Sequence, residues 1–292
     1  MASIDSVPNE VGIVLPCPSR AKTRDVNSPQ ILISTLTYFA SHDILPLATV
    51  SRRFCSVVLR ILHQRLKRTT SLPDHRLILE CYHPSAKLST PYLYCDYLST
   101  DGLSCNDDEP LWTPAHLGSS YAHFRPVKQE ENQRGRRRYP TQTTPAIAQP
   151  PDWPSQDVFL DEGELFSQLC TVTNLVKMGP KPGLFLSHVN IGDGLIRVWR
   201  DWLAAQARTS APAPILWADA RQTVGVRFRV TEREQTGLAA ALLVEVSDEM
   251  PVAYRLEFDE VVVRAGRLLL MAEKSEQQEV TTSGKAIVIA VI

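Results

Sequence analysis

The sequence has no surplus of charge of either sign. Its 31 lysines and arginines against 32 aspartates and glutamates leave a net charge of -1 over 292 residues. That excludes a chain-wide basic surface for nucleic acid or an anionic membrane. No apolar run approaches the roughly 20 residues that a membrane-spanning helix requires. The first twenty residues, MASIDSVPNEVGIVLPCPSR, hold a short apolar piece at 11–15 without a basic leader, and Asp5 and Glu10 are close by. No secretory signal is read there. CxxC pairs are also missing. The six cysteines, at 17, 55, 81, 95, 105 and 170, are therefore expected as thiols of a reducing compartment, cytoplasmic and/or nuclear. Cys81, His83, Cys95 and Cys105 match no standard zinc spacing. Neither a metal nor another cofactor is expected.

Signatures of catalysis are equally scarce. The chain has no GxxxxGK[ST] or GxGxxG phosphate loop, no GxSxG and no HExxH, so no nucleotide, α/β-hydrolase or zinc-protease chemistry is written in it. LDEGEL at 160–165 offers paired carboxylates but reads as an exposed turn. His188, Asn190 and Asp193 in SHVNIGDG form the best polar cluster left. NIGDG is foremost a turn sequence, and a hydrolase built on His188 and Asp193 ranks far behind a non-enzymatic reading, because nucleophile, base and orienter are not all supplied. Trp199 and Trp202 in RVWRDWL, with Trp217, are read first as core residues and second as the lining of a ligand groove.

What is present is 43% hydrophobic residues and 22% charged ones, ordinary for a globular chain, and a clear division along its length. Residues 1–27, with Pro8, Pro16 and Pro18, read as a disordered leader. Residues 28–68 read as helical. Ser28 followed by Pro29 is a helix start, and Ile31, Thr35 and Phe39 fall on one stripe with Leu32 and Leu36 beside it. A second helix is expected with Asp43 as its cap, because only then does Pro46 fall in the first turn, where its missing N–H costs nothing. RLILECYH and PYLYCDYLST, within 75–105, read as strands. Residues 106–156 hold eight of the 21 prolines. They also include KQEENQRGRRRYPTQTTP and show no periodicity, so they read as a disordered insertion or linker. RGRRR within it is read first as solvated and second as an import or RNA-binding patch.

From 157 to 292 the chain is β-rich. QLCTVTNLVKM, GLFLSHVNI, LIRVWR, QTVGVRFRVTERE, ALLVEVS, AYRLEFDEVVV, RLLLMAE and KAIVIAVI are strand-length runs. In VGVRFRV, Val224, Val226, Phe228 and Val230 share one face while Arg227 and Arg229 share the other. DWLAAQA reads as a short helix capped by Asp201. Short strands without long helices between them predict an antiparallel, sandwich-like domain, and the fold class is α+β.

PQILISTLTYFASHDILPLATVSRRFCSVV resembles an F-box, the adaptor-docking motif of substrate receptors in SCF-type ubiquitin ligases. Pro29, Ile31, Leu32, Leu36, Tyr38 and Phe39 match the first half of the pattern. Asp43, Ile44, Leu45, Leu47, Val50, Ser51, Arg52, Arg53 and Phe54 match the second. Asn27 stands where the family has a leading Leu, Gln30 replaces a Glu and Thr35 an aliphatic residue. The missing Leu would remove about 1.5–3 kcal/mol of contact from a buried position. HRLILECYHPSAKLSTPYLYCDYLSTDGLS, IRVWRDWLAAQ and ILWADARQTVGVRFRV are similar, more loosely, to a group of filamentous-fungal F-box proteins.

The resemblance implies a non-enzymatic substrate receptor. Its partners would be a Skp-type adaptor, through it a cullin, and a protein target, with no nucleic acid and no membrane. Pro29, Ile31, Leu32, Leu36, Ile44, Leu45, Leu47 and Val50 would supply the apolar face shared between internal packing and the adaptor. Two other readings stand beside it. In one, residues 28–67 are a hairpin packed on the β domain without an outside partner. In the other, the β domain is a stand-alone, lectin-like ligand binder.

Overall fold

The computed structural model describes residues 28–71, 74–87, 90–103, 118–128, 153–180, 184–209, 211–233 and 251–281. The expected leader at 1–27, the RGRRR run and the expected strands ALLVEVS and KAIVIAVI lie outside them. Among the described residues, no helix is long and apolar enough to cross a membrane.

Three helices open the fold: α1 (Ser28–Leu36), α2 (Ser41–Ile44) and α3 (Arg52–Ser71), with a 3-10 turn at Leu45–Thr49. The second expected helix is in fact these two pieces joined by the 3-10 turn. Ala40, not Asp43, caps α2, and Asp43 lies in its first turn. Pro46 sits at the start of the 3-10 turn, where its missing donor is harmless. Ser51 then begins α3 by accepting a hydrogen bond from the Phe54 N–H at 3.3 Å, so the register restarts at that point.

The sheet runs through β1 (His75–Tyr82), β2 (Leu93–Thr100), β3 (Tyr121–Val127), β4 (Ser155–Leu160), β5 (Phe166–Met178), β6 (Phe185–Trp199), β7 (Leu216–Trp217), β8 (Val224–Glu232) and β9 (Val252–Arg264). Helix α4 (Arg200–Ala207) follows β6, and α5 (Ala265–Thr281) follows β9. All pairings are antiparallel, in the order β6-β5-β1-β2-β3-β9-β8-β7, with β4 on β9. The expected α+β class holds, but the two packed sheets of a sandwich are replaced by one nine-stranded sheet that curls into a nearly closed barrel.

Two contacts close the curl. The Leu195 N–H donates to the Ala218 carbonyl at 3.2 Å. Beside it Gly194 approaches so tightly that a Cβ there would lie 2.1 Å from the Ala218 oxygen. NIGDG is accordingly no turn: β6 passes straight through it with one bulge opposite Thr173 and Asn174, and its second glycine serves barrel closure.

Alternation sets the interior. Val224, Val226, Phe228 and Val230 of β8 join Leu169 and Leu175 of β5 and Leu77 and Leu79 of β1 in the main core. β3 corrects the expected insertion: Ala122, Phe124 and Pro126 are buried at every second position, a period hidden by the proline-rich surroundings. α5 corrects the strand expected at RLLLMAE. Three consecutive leucines carry no period of their own, yet Leu268, Met271 and Ala272 face the barrel core while Ala265 and Leu269 face the N-terminal helices. A helix apolar on two faces is one buried between two layers. α4 starts at Arg200 after Trp199, with Asp201 in its first turn instead of capping it. Its buried Leu203 reaches the main core.

Candidate functional site

Two surface features remain after the fold has used its apolar residues. The first is on the N-terminal helices. Leu36, Ile44, Val57, Val58, Ile61, Leu62 and Leu66 form a second core together with Ala265 and Leu269 of α5, so the helices are docked on the barrel and share its last helix.

A polar clamp fixes that docking. Glu273 on α5 accepts from the Ser41 N–H at 2.8 Å and the Ser41 hydroxyl at 2.6 Å. Arg65 of α3 bonds Glu273 at 3.0 Å and donates to the Thr37 and Phe39 carbonyls at 3.0 and 2.5 Å. Its charge thus satisfies carbonyls left open where α1 ends.

The residues expected to contact a partner divide accordingly. Leu36 and Ile44 are buried in the shared core, with Leu32 and Leu47 half-buried against it. Pro29 lies in the first turn of α1. Ile31 (65%), Leu45 (46%) and Val50 (66%) stay exposed, and the structure adds Tyr38 (90%) and Phe39 (50%). Five of the eleven large hydrophobic residues left exposed among the described residues thus lie between 31 and 50, on the helices and the turns that join them. The two aromatics matched the motif, but nothing in the sequence marked them as outward-facing.

The second feature is a slot in the barrel wall. The ladder between β3 and β9 ends at Phe124–Val261, while that between β4 and β9 begins at Ser155–Glu257. The Phe258 N–H donates to the Pro154 carbonyl at 2.9 Å, so β4 displaces the end of β3 from β9. Among the described residues, neither the outer edge of β4 nor β3 beyond Phe124 on that side has a ladder partner. A cavity of about 280 Å³ opens at the split, with Cys81, Leu93 and Phe258 among its apolar walls and Lys128, Ser155 and Gln156 among its polar ones. Burial pushes the Cys81 thiol well up, which leaves it protonated and apolar in character. Trp153, just before β4, lies between the guanidinium groups of Arg125 and Arg229, each 5.6 Å from its ring. This pins the start of β4. Sequence reasoning missed Trp153, whose role appears only once three separate strands meet.

The three tryptophans, read first as core residues and second as a ligand groove, each pack on a different neighbour. Trp199 is half-exposed and packs on Phe166 at 5.0 Å. Trp202 packs against the main core, and its indole N–H finds no partner among the described residues. Trp217 rests on Tyr121 at 5.2 Å. His188 and Asp193, five residues apart on one continuous strand, are separated by about 16 Å, so no turn gathers them. In LDEGEL, Gly163 takes φ +75 and Glu164 accepts from the Asp161 N–H at 2.9 Å, the turn that was read there. No family model matches the chain, and neither a curated protein nor a solved structure does.

Proposed function

We propose that the chain is a substrate receptor of an SCF-type ubiquitin ligase: the helical module docks a Skp-type adaptor, and through it a cullin, while the barrel recruits a protein target. The observation that carries the reading is that Ile31, Tyr38, Phe39, Leu45 and Val50 stay exposed along a helical module already anchored from behind by α5. Burying one such half-exposed side chain in a partner contributes about 1–2 kcal/mol, and several together suffice for a stable contact. The order of the motif from Pro29 to Phe54 supports the same partner. In this reading the chain performs no chemistry of its own. It raises the effective concentration of the target at the ligase, in the cytoplasm and/or nucleus.

The test is co-purification of the full chain with a recombinant Skp-type adaptor. Leu45→Asp and Val50→Asp place a charge on exposed positions, so the variants are expected to fold and to lose the adaptor. Equal recovery of parent and folded variants sinks the proposal.

The cavity beside β4 supports a second reading, a stand-alone ligand-binding, lectin-like barrel with purely structural helices. A glycan array on residues 75–292 separates the two, since only this second reading predicts glycan binding without the adaptor.

A further inference from the structure

We propose that the slot between β3 and β4 is a peptide-binding site, in which an extended segment of a recruited protein pairs with the outer edge of β4 and sets one apolar side chain on Leu93, Cys81 and Phe258. The source of that segment rests on the receptor reading above; the slot's affinity for extended peptide does not.

Three observations lead to this ligand class. First, an open strand edge offers a repeating row of donors and acceptors, which extended main chain matches and compact ligands do not. The edge borders the cavity directly, since Ser155 and Gln156 belong to both. Second, the facing edge is blunted: Pro126 near the end of β3 has no N–H to give, as expected of a proline at an unpaired edge. Pairing is therefore directed to β4. Third, the cavity is apolar below and polar at the mouth, and its volume of about 280 Å³ lies at the small end of ligand pockets. That is room for a side chain or two, with the rest of the segment running along the strand.

The site is also placed for simultaneous occupancy. His75 at the start of β1 bonds Ser275 of α5 at 3.0 Å, whereas Cys81 lies six residues further along β1, about 20 Å away at strand spacing. A peptide in the slot and an adaptor on the helical module are expected to bind together.

The experiment pans a phage-displayed random nonapeptide library on the full chain, then measures binding of synthetic selected peptides and amide exchange across Ser155–Leu160. Selected peptides are expected to share one apolar position, to slow exchange in β4, and to bind Ser155→Trp, which fills the mouth from an exposed position, at least ten-fold more weakly. Gln156→Trp serves if Ser155→Trp does not fold, and the exchange measurement needs no variant. Failure to enrich any peptide, undiminished binding to the filled slot, or protection elsewhere overturns the inference. Adaptor binding by the same preparation keeps the two proposals apart. Adaptor without peptide removes the slot alone, and peptide at β4 without adaptor removes the receptor reading alone.

Discussion

Replacing Glu273 by Ala tests whether the helical module and the barrel fold as one unit. In the parent, Glu273 accepts two hydrogen bonds from buried Ser41 and one from Arg65. Truncation strands the Ser41 N–H, at about 1–3 kcal/mol for a buried donor. Removing one partner of a fully buried ion pair costs about 3–5 kcal/mol. Here Arg65 and Glu273 are 16% and 20% exposed, and Arg65 keeps the Thr37 and Phe39 carbonyls, so the charge contribution falls well below that range.

The combined loss is about 2–4 kcal/mol, and Glu273→Gln, which retains an acceptor oxygen, loses about 1–2 kcal/mol. The assay is urea unfolding followed by two probes. All five tryptophans lie outside the helical module, so fluorescence reports on the rest of the chain and far-UV dichroism on helices as well. The transitions are expected to coincide and to shift together. An Arg65→Met, Glu273→Met cycle is expected to give a coupling of about 1–2 kcal/mol. A Glu273→Ala loss under about 0.5 kcal/mol, within the range of ordinary surface changes, or separate transitions for the two probes, refutes the shared unit.

Gly194→Ala is expected to open the barrel seam, because the added Cβ would meet the Ala218 backbone at 2.1 Å. The loss is about 3 kcal/mol, at the upper end of overpacking effects, and a melting temperature within a degree of the parent contradicts it. Asp219, next to that seam, predicts an acid-sensitive closure. Burial pushes its carboxyl up, but hydrogen bonds from the Thr223 hydroxyl and from the Thr223, Val224 and Arg221 N–H groups outweigh this and hold it below the ordinary carboxylate range. A folded value below the unfolded one means stabilisation present above the unfolded value and lost as pH falls through the folded one. Amide protection at Leu195, taken relative to the intrinsic exchange rate, is therefore expected to fall below about pH 4. Asp219→Asn is expected to remove that dependence, and an unchanged acid profile in the variant contradicts the assignment.

Strand periodicity made β5, β8 and β9 legible, since inward and outward residues alternate whatever the sheet becomes. The same alternation cannot separate a sandwich from a barrel; that depends on Gly194 meeting Ala218, a contact between residues 24 apart. β3 was lost among prolines, one of which it contains. Local composition also misled at NIGDG, whose glycines signalled a turn where they permit close approach. α5 was unreadable because its two apolar faces answer to two different cores.

That helix also explains why the candidate site was legible only in part. The motif marked Leu36, Ile44, Leu45 and Val50 alike. Without α5 in place there is no way to know that the first two are consumed internally and the last two are left to solvent. Likewise, the chain passes from helix to strand between Ser71 and His75, but the packing does not divide there, since Ala265 and Leu269 belong to the helical core.

The most direct measurement is a calorimetric titration of a Skp-type adaptor into the full chain and into Ile31→Asp and Val50→Asp. Both positions are about two-thirds exposed, so both variants should melt with the parent. Each loses about 1–2 kcal/mol of apolar contact and buries an unpaired carboxylate besides. Saturable one-to-one binding by the parent, weakened at least ten-fold in each variant, is the predicted result. An adaptor that does not bind, or that binds all three equally, contradicts it.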